Sequence, residues 1–373
     1  MSARAPRRAI IVGGGIMGLS TAWALARGGA AVTVLDQGSI PNQRGSSVDQ
    51  HRLIRHPYGA SRGYTRMIAE AYRGWDLMWR DIGDTLYANT GTLALTASDG
   101  GWLADSQTTM AQEKIAFARL DPTTVARDYP ALRADDLRQA VRVERGGVLF
   151  AAPIVARLAR HLAARGVALR AQTRVAAIDA ARGRVTLGDG ETLAADVVVA
   201  AAGPWTGTLL PAMAAKMTPQ RQVVVYLVPP PDLAPFWLRA PMVLDIDPET
   251  GLYVVPPRGG AALKIGDHVV AEGGDPDGDR VARSDEIARV LAAGAKRLLR
   301  LDAYRVAFAK VCFYDVSGDE RFIVAPIGAR AWAMTGFSGH GFKFGAALGL
   351  RLAATIEGRH APEDTTRWAT GEI

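Results

Sequence analysis

Four apolar residues, Ala9-Ile10-Ile11-Val12, run directly into Gly13-Gly14-Gly15-Ile16-Met17-Gly18. A short apolar, partly β-branched run halted by glycine predicts a buried strand. Leu19, Ala22, Trp23, Leu25 and Ala26 then recur at helical spacing until Gly28-Gly29 ends the predicted helix. Ala31-Val32-Thr33-Val34-Leu35 predicts a second strand, closing on Asp36. Strand, turn, helix and strand thus follow one another within about 30 residues.

Helical periodicity returns near 65–83, where Trp75 and Trp79 stand four apart and predict core packing. Val141-Arg142-Val143 and Gly147-Val148-Leu149-Phe150 predict strands, Pro153 to Gly166 a helix, and Val167-Ala168-Leu169-Arg170 another strand. A hairpin is predicted about Gly188-Asp189-Gly190, and Asp196-Val197-Val198-Val199-Ala200 predicts a fully buried strand leading into Ala202-Gly203-Pro204-Trp205. Between 221 and 265 the pattern becomes strand-rich and punctuated by proline, with strands at Gln222 to Val228, Met242 to Ile246, Leu252 to Val255 and Ala262 to Ile265. A helix follows at about 284–299; strands at Phe322 to Ala325 and Ala331 to Thr335, a glycine-rich turn and a helix from Lys343 to Ile356 complete the pattern. This order predicts an α/β protein. One discontinuous nucleotide-binding domain occupies 1–83, 145–218 and 308–373, and an antiparallel substrate domain occupies 84–144 and 219–307. No internal repeat, low-complexity tract or Gly/Ser linker divides the chain.

Composition agrees with two domains, since 373 residues at 49% hydrophobic content suffice for two units of ~150 residues. Forty-four basic against 37 acidic residues leave a charge of +7 and a pI of about 9.7. No run of about 5–8 basic residues concentrates that excess, which therefore reads as a solvated arginine-rich surface and not as a nucleic-acid site. The uncharged stretches 9–26 and 197–215 are broken by glycine and proline, so neither supplies the ~20 continuous apolar residues of a membrane span. The basic start, Met1-Ser2-Ala3-Arg4-Ala5-Pro6-Arg7-Arg8, is not followed by a signal-peptide pattern. Cys312 is the single cysteine, which excludes an internal disulfide and a cysteine metal cluster and fits a reducing compartment. A soluble, cytoplasmic protein that does not bind metal is expected.

Gly13, Gly15 and Gly18 spell Gly-x-Gly-x-x-Gly between a predicted strand and helix, with Asp36 eighteen residues further on. The glycines permit a tight turn and a close backbone approach to a pyrophosphate, whose charge meets the helix N-terminus. Asp36 is placed to accept hydrogen bonds from an adenosine ribose. The motif predicts a dinucleotide and does not separate FAD from NAD.

Four further stretches occur in order: Gly45-Ser46 leading to Arg52-Leu53-Ile54-Arg55-His56-Pro57-Tyr58-Gly59, then Ala262-Leu263-Lys264-Ile265-Gly266-Asp267-His268, Val311-Cys312-Phe313-Tyr314, and Gly336-Phe337-Ser338-Gly339-His340-Gly341-Phe342-Lys343-Phe344. With the N-terminal motif they resemble the monomeric sarcosine oxidase and N-methyltryptophan oxidase family, flavoenzymes of the wider D-amino-acid-oxidase-like group, over nearly the whole chain. The resemblance implies a Rossmann-type FAD-binding domain, a second and mainly antiparallel β-sheet substrate domain, and FAD in place of NAD. It implies cofactor contacts from Gly13, Gly15, Ile16, Met17, Gly18, Asp36, Ser46, Arg52, Val175, Gly203, Trp205, Gly339, Gly341, Phe342 and Lys343. It also implies a covalent thioether from Cys312 to the flavin 8α-methyl, formed by attack of the thiolate.

The same resemblance puts Arg55 and Lys343 on the substrate carboxylate, a planar fork beside a compact charge. Only six of the 44 basic residues are lysines, and two of them, Lys264 and Lys343, fall in matching stretches. Lys264 matches the family's dioxygen-activating lysine, whose ammonium stabilises developing superoxide. Tyr253, His268 and Tyr314 match residues lining the substrate pocket, Arg52 would lie against the flavin ring, and His340 would serve either the turn or the cofactor. Three departures alter the walls near the flavin. After Gly45-Ser46 the family continues with two histidines and Gly-Asp-Thr-Arg, whereas this chain reads Ser47-Val48-Asp49-Gln50-His51-Arg52. Val48 replaces a histidine, His51 a threonine, and Ala325 an acid. The expectation is an oxidase of secondary amino acids, N-methyl or cyclic, acting as a monomer on a small anionic substrate and dioxygen and releasing hydrogen peroxide. A flavin dehydrogenase with another acceptor and a noncatalytic flavin-binding subunit are the alternatives.

Overall fold

In the computed structural model, which describes residues 8–245, 251–268 and 273–373, the first apolar run forms the strand Arg8–Val12 inside a six-stranded sheet. The basic residues before Arg8, and Ile246 at the end of a predicted strand, lie outside the described residues. The strands run in the order Ile323–Gly328, Ala331–Thr335, Val197–Ala200, Arg8–Val12, Ala31–Leu35 and Ala168–Arg170. All neighbours are parallel except the hairpin formed by the first two. Parallel strands covered on both faces need apolar residues throughout, which is why Val197–Ala200 and Ala331–Thr335 are buried at every position. Helices Ile16–Arg27, Arg62–Ile82, Ala151–Ala164 and Gly345–Ile356 contribute to the large core beside this sheet.

A second sheet of eight strands runs in the order Arg305–Ser317, Met217–Val228, Leu263–Gly266, Tyr253–Val255, Met242–Asp245, Thr92–Thr96, Gln139–Val143 and Ala118–Leu120. Every pairing is antiparallel except Met242–Asp245 with Thr92–Thr96. Side chains alternate between the faces of a strand, so the register decides what meets. Tyr226 lies opposite Lys264, and Val255 also lies opposite Lys264. Cys312 and Tyr314 stand on the parallel row of the adjoining strand, opposite Gln222 and Gln220. The alternate residues Val225, Val254, Leu263 and Ile265 form a separate apolar core with Trp237 and Val290 of the helix Ser284–Arg297. One face of this sheet is thus a conventional core; the other carries Tyr226, Lys264, Cys312 and Tyr314 on some strands and a smaller apolar cluster, including Ala94, Val141, Val143 and Leu244, on the rest.

The structure lengthens several predicted elements. Gln222 to Val228 is the second half of a twelve-residue strand, Met217–Val228, paired along its length with Arg305–Ser317. Residues 308–317, counted with the nucleotide domain in the sequence division, therefore hydrogen-bond into the eight-stranded sheet. The last predicted helix begins as a 3₁₀ turn, Phe342–Phe344, before the α-helix Gly345–Ile356. Strands Thr92–Thr96 and Ala118–Leu120 and helix Trp102–Gln112 had no clear sequence signal, being short and stabilised by neighbours distant in sequence. Trp75 and Trp79 are buried and stacked with centroids 5.0 Å apart, as predicted for core packing. Trp75 does more, donating its indole N–H to the Lys343 carbonyl oxygen at 2.7 Å. No helix among the described residues is long and apolar enough to cross a membrane.

Candidate active site

The Gly-x-Gly-x-x-Gly motif joins the strand Arg8–Val12 to the helix Ile16–Arg27. Gly13 has φ +113°, and a Cβ there would collide with the Ala201 carbonyl; a Cβ at Gly18 would collide with the Gly13 carbonyl oxygen. Only glycine lets strand and helix pass this closely. Ser47 Oγ accepts the Ile16 N–H at 3.0 Å, while Asp36 accepts from Gly14 N–H at 2.7 Å and from Gly38 N–H and Asn42 Nδ2 at 2.8 Å each. The loop, helix start and acid therefore form one locked unit along a cavity of about 410 Å³.

That cavity is lined by Gly13, Gly15, Ile16, Met17, Asp36, Ser46, Arg52, Val175, Gly203, Trp205, Gly339, Gly341 and Phe342 of the predicted cofactor residues. Tyr314, predicted for the substrate pocket, also lines it, as does Val48. Gly18 stands behind the turn, and Lys343 faces a second cavity instead. A glycine cradle opening on a helix N-terminus, with an acid at the end of the second strand, fits a dinucleotide such as FAD.

The second cavity, about 790 Å³, shares Arg52, Tyr314, Gly339 and Phe342 with the first. Its walls bring together Arg55, Tyr253, Lys264, His268, His340 and Lys343, whose sequence positions span most of the chain. Lys343 Nζ donates to Tyr58 Oη at 2.9 Å and to the His340 carbonyl oxygen at 2.7 Å. The Arg55 guanidinium donates to the Pro57 carbonyl, stands 4.3 Å from the Tyr58 ring centroid and 5.2 Å from that of Trp102, and leaves Nε buried with no partner. Among the described residues no carboxylate pairs with either cation. Burial pushes the pKa of both down, and the nearness of Arg55 pushes Lys343 further. Two buried cations without a counter-ion among the described residues make a site that an anion would neutralise.

His268 lies just past the strand Leu263–Gly266, solvent-exposed at the rim of this cavity. Desolvation by the surrounding protein, then the charges of Arg55 and Lys343, lower its pKa to about 4, so the ring is neutral at pH 7. His340 closes the other side, its Nδ1 3.4 Å from Tyr58 Oη and its Nε2 3.1 Å from the Glu320 carbonyl oxygen. Lys264 is buried and pairs with Asp49 at 3.1 Å. Cys312 is buried on the same sheet face but lines neither cavity; burial raises its thiol pKa, opposed by the charge of Arg52. Of the remaining departures, His51 is fully buried with Nε2 3.1 Å from the Ala262 carbonyl oxygen, and Ala325 pairs with Ala333 away from both cavities.

Residues 8–355 match the model of the family described as DAO: FAD dependent oxidoreductase. The chain belongs to this family of FAD-dependent oxidoreductases. It is 27% identical over 379 aligned positions to the N-methyl-L-tryptophan oxidase of Yersinia pestis (strain Pestoides F), covering 96% of this chain and 97% of that protein. Its fold is similar to that of the L-proline dehydrogenase of P. horikoshii (TM-score 0.82, 19% identity, 100% of this chain and 98% of that one). It is also similar to NikD, an amino acid oxidase essential for nikkomycin biosynthesis (TM-score 0.80, 20% identity, 98% of each chain). The fructosamine oxidase Amadoriase II of Aspergillus fumigatus matches at TM-score 0.78 and 21% identity, over 99% of this chain and 89% of that one. The mixed parallel and antiparallel architecture predicted from the sequence is thus the fold of this family.

Several site residues escaped the sequence reading. Tyr58, Tyr64 and Trp102 wall the second cavity, and Asn42 braces Asp36. Tyr58 lay inside a quoted stretch without a role, and Trp102 had no signal because its helix had none. Asp49 stood in the departing run, but nothing local indicated that it would face Lys264.

Proposed function

We propose that this FAD-dependent oxidoreductase is an oxidase of secondary amino acids, N-methyl or cyclic, that releases hydrogen peroxide. The observation that carries the reading is the pair of buried cations, Arg55 and Lys343, without a carboxylate partner among the described residues, on a cavity sharing four residues with the dinucleotide cradle. FAD held along the cradle of Gly13, Gly15 and Asp36 would supply the two-electron chemistry, as acceptor of a hydride from the amine carbon and as donor to dioxygen; water would hydrolyse the resulting imine.

The chain's own residues supply binding, orientation and charge. Arg55 presents a fork to both oxygens of a carboxylate, and Lys343, held by Tyr58 and the His340 carbonyl, adds a second charge. The same two cations disfavour an ammonium close by, so the substrate amine is held neutral and its nitrogen lone pair is free to assist loss of the hydride. Neutral His268 has a ring nitrogen to accept from that amine, which fixes the amine's orientation. Tyr253, Tyr314 and Trp102 exclude water from the apolar part of the substrate. Lys264 holds a positive charge on the same wall, where an anion developing from dioxygen is stabilised. Arg52, shared by both cavities, sets the charge beside the cofactor; the Cys312 thiol, buried two residues before the cavity-lining Tyr314, is the group we assign to covalent attachment.

Incubation in air with a panel of N-methyl, cyclic and primary amino acids tests the reading by peroxide release. Secondary amino acids should release peroxide and their carboxylate-free amines should not. Absence of turnover in air, with substrate oxidation appearing once an artificial electron acceptor is added, would make the protein a dehydrogenase. Cofactor that never bleaches with any amino acid under anaerobic conditions would refute catalysis on this class.

A further inference from the structure

The carboxylate facing Lys264 belongs to the run in which this chain leaves the pattern it otherwise resembles. Where that pattern reads Gly-Asp-Thr-Arg, the chain has Asp49-Gln50-His51-Arg52, so its acid comes one position early. Asp49 is 3% exposed and its two oxygens are fully engaged. Oδ1 accepts the Gln50 N–H at 2.9 Å and the Tyr226 hydroxyl; Oδ2 accepts the Arg52 guanidinium and Lys264 Nζ, the last at 3.1 Å. Lys264 Nζ gives a second hydrogen to the His51 carbonyl oxygen at 2.6 Å. An ammonium has three hydrogens, so one stays uncommitted on a side chain that lines the substrate cavity.

We propose that Asp49 is a positioning residue for Lys264, holding the buried side chain as a charged ammonium with a fixed direction toward the cavity. The proposal rests on the reading of Lys264 as the cation that meets dioxygen. Three cations, Arg52, Lys264 and Lys310, surround this single carboxylate. Tyr226 and Tyr253 from the neighbouring strands and Cys312 beside Lys310 are neutral, as is His51, so among the described residues no other anion serves the group. An uncompensated lysine in such a place sheds its proton, because burial and like charge both penalise the ammonium. Burial already draws Lys264 down to about 8, and Asp49 is the main influence opposing it. The cluster nevertheless remains net cationic, so the carboxylate retains the charge on Lys264 without cancelling the positive field at the wall.

The test compares the holoenzyme with Asp49→Asn, Lys264→Met and the double variant. The rate constant for reoxidation of substrate-reduced enzyme by dioxygen is followed from about pH 5.5 to 9.5. The native rate should fall as pH rises through about 8. Asp49→Asn should show the same fall about 1–3 pH units lower, and Lys264→Met should be slow and flat. Melting temperature supplies a second readout that does not depend on turnover. A lysine with a folded pKa of about 8 and an ordinary value of 10.5 makes the fold gain stability as pH rises between them. That gain should begin at lower pH in Asp49→Asn and vanish in Lys264→Met.

Coincident pH profiles for native protein and Asp49→Asn, with Lys264→Met slow, would overturn the proposal and leave the reading of Lys264 standing. Native-like reoxidation by Lys264→Met would overturn that reading and the proposal with it. Should Asp49→Asn fail to fold, the double variant decides. Folding recovered when the lysine charge is also removed supports the pairing, and folding not recovered overturns it.

Discussion

Replacing Lys343 by methionine should stabilise the ligand-free protein while weakening its hold on an anion. The ammonium is 3% exposed, next to the Arg55 guanidinium, with two hydrogen bonds and no carboxylate partner among the described residues. An effective desolvation cost of roughly several kcal/mol is borne by such an ion. Methionine has similar length and an apolar, adaptable chain, so the cavity wall survives. The lost bonds to Tyr58 and the His340 carbonyl return about 1 kcal/mol each, leaving a net stabilisation of about 1–3 kcal/mol. For a chain of this size, that corresponds to a rise of roughly 1–4 °C in melting temperature. The anion loses a charge-assisted bond worth about 1.5–3 kcal/mol, so its dissociation constant should rise about 10- to 150-fold. The pH dependence carries the same sign. Because the folded pKa of Lys343 lies below its ordinary value, the native fold gains stability as pH rises between the two, and Lys343→Met lacks that gain. Melting curves of the holoenzyme, with acetate titrated in and acetamide as the neutral control, measure both effects. A variant that melts lower without ligand and binds acetate as tightly as the native protein would refute the reasoning.

Gly18→Ala should lower flavin occupancy, read as the ratio of absorbance at about 450 nm to that at about 280 nm, because its Cβ would collide with the Gly13 carbonyl; full occupancy would remove the close-approach argument. Acid-precipitated native protein should stay fluorescent under ultraviolet light, whereas Cys312→Ser should release all flavin to the supernatant; a colourless native pellet would exclude the covalent bond. Acetate affinity should show no step near the ordinary histidine value between about pH 5.5 and 7.5, since desolvation and the charges of Arg55 and Lys343 draw His268 down to about 4. A titration step near the ordinary 6.5 would show that the cations do not act on this ring.

What the sequence determined by itself is what short-range geometry controls. The glycine turn, the helix after it and Asp36 lie in one continuous stretch, so spacing alone specifies a dinucleotide cradle. Apolar runs and alternation likewise located most strands, because burial on one or both faces leaves its period in the residues themselves. Resemblance pointed to Arg55, Lys264 and Lys343, but could not say what would surround them. Strand register decided that Tyr226 stands opposite Lys264, and the fold brought Asp49 from some two hundred residues away to face both. The Lys343 ammonium reaches Tyr58 across 285 residues, and the indole of Trp75, which periodicity marked only as core, holds the Lys343 backbone. Counter-charge, burial and the direction of a hydrogen bond are properties of neighbours in space. Chain order does not record them, so the chemistry of these cations became legible only once the two sheets were folded together.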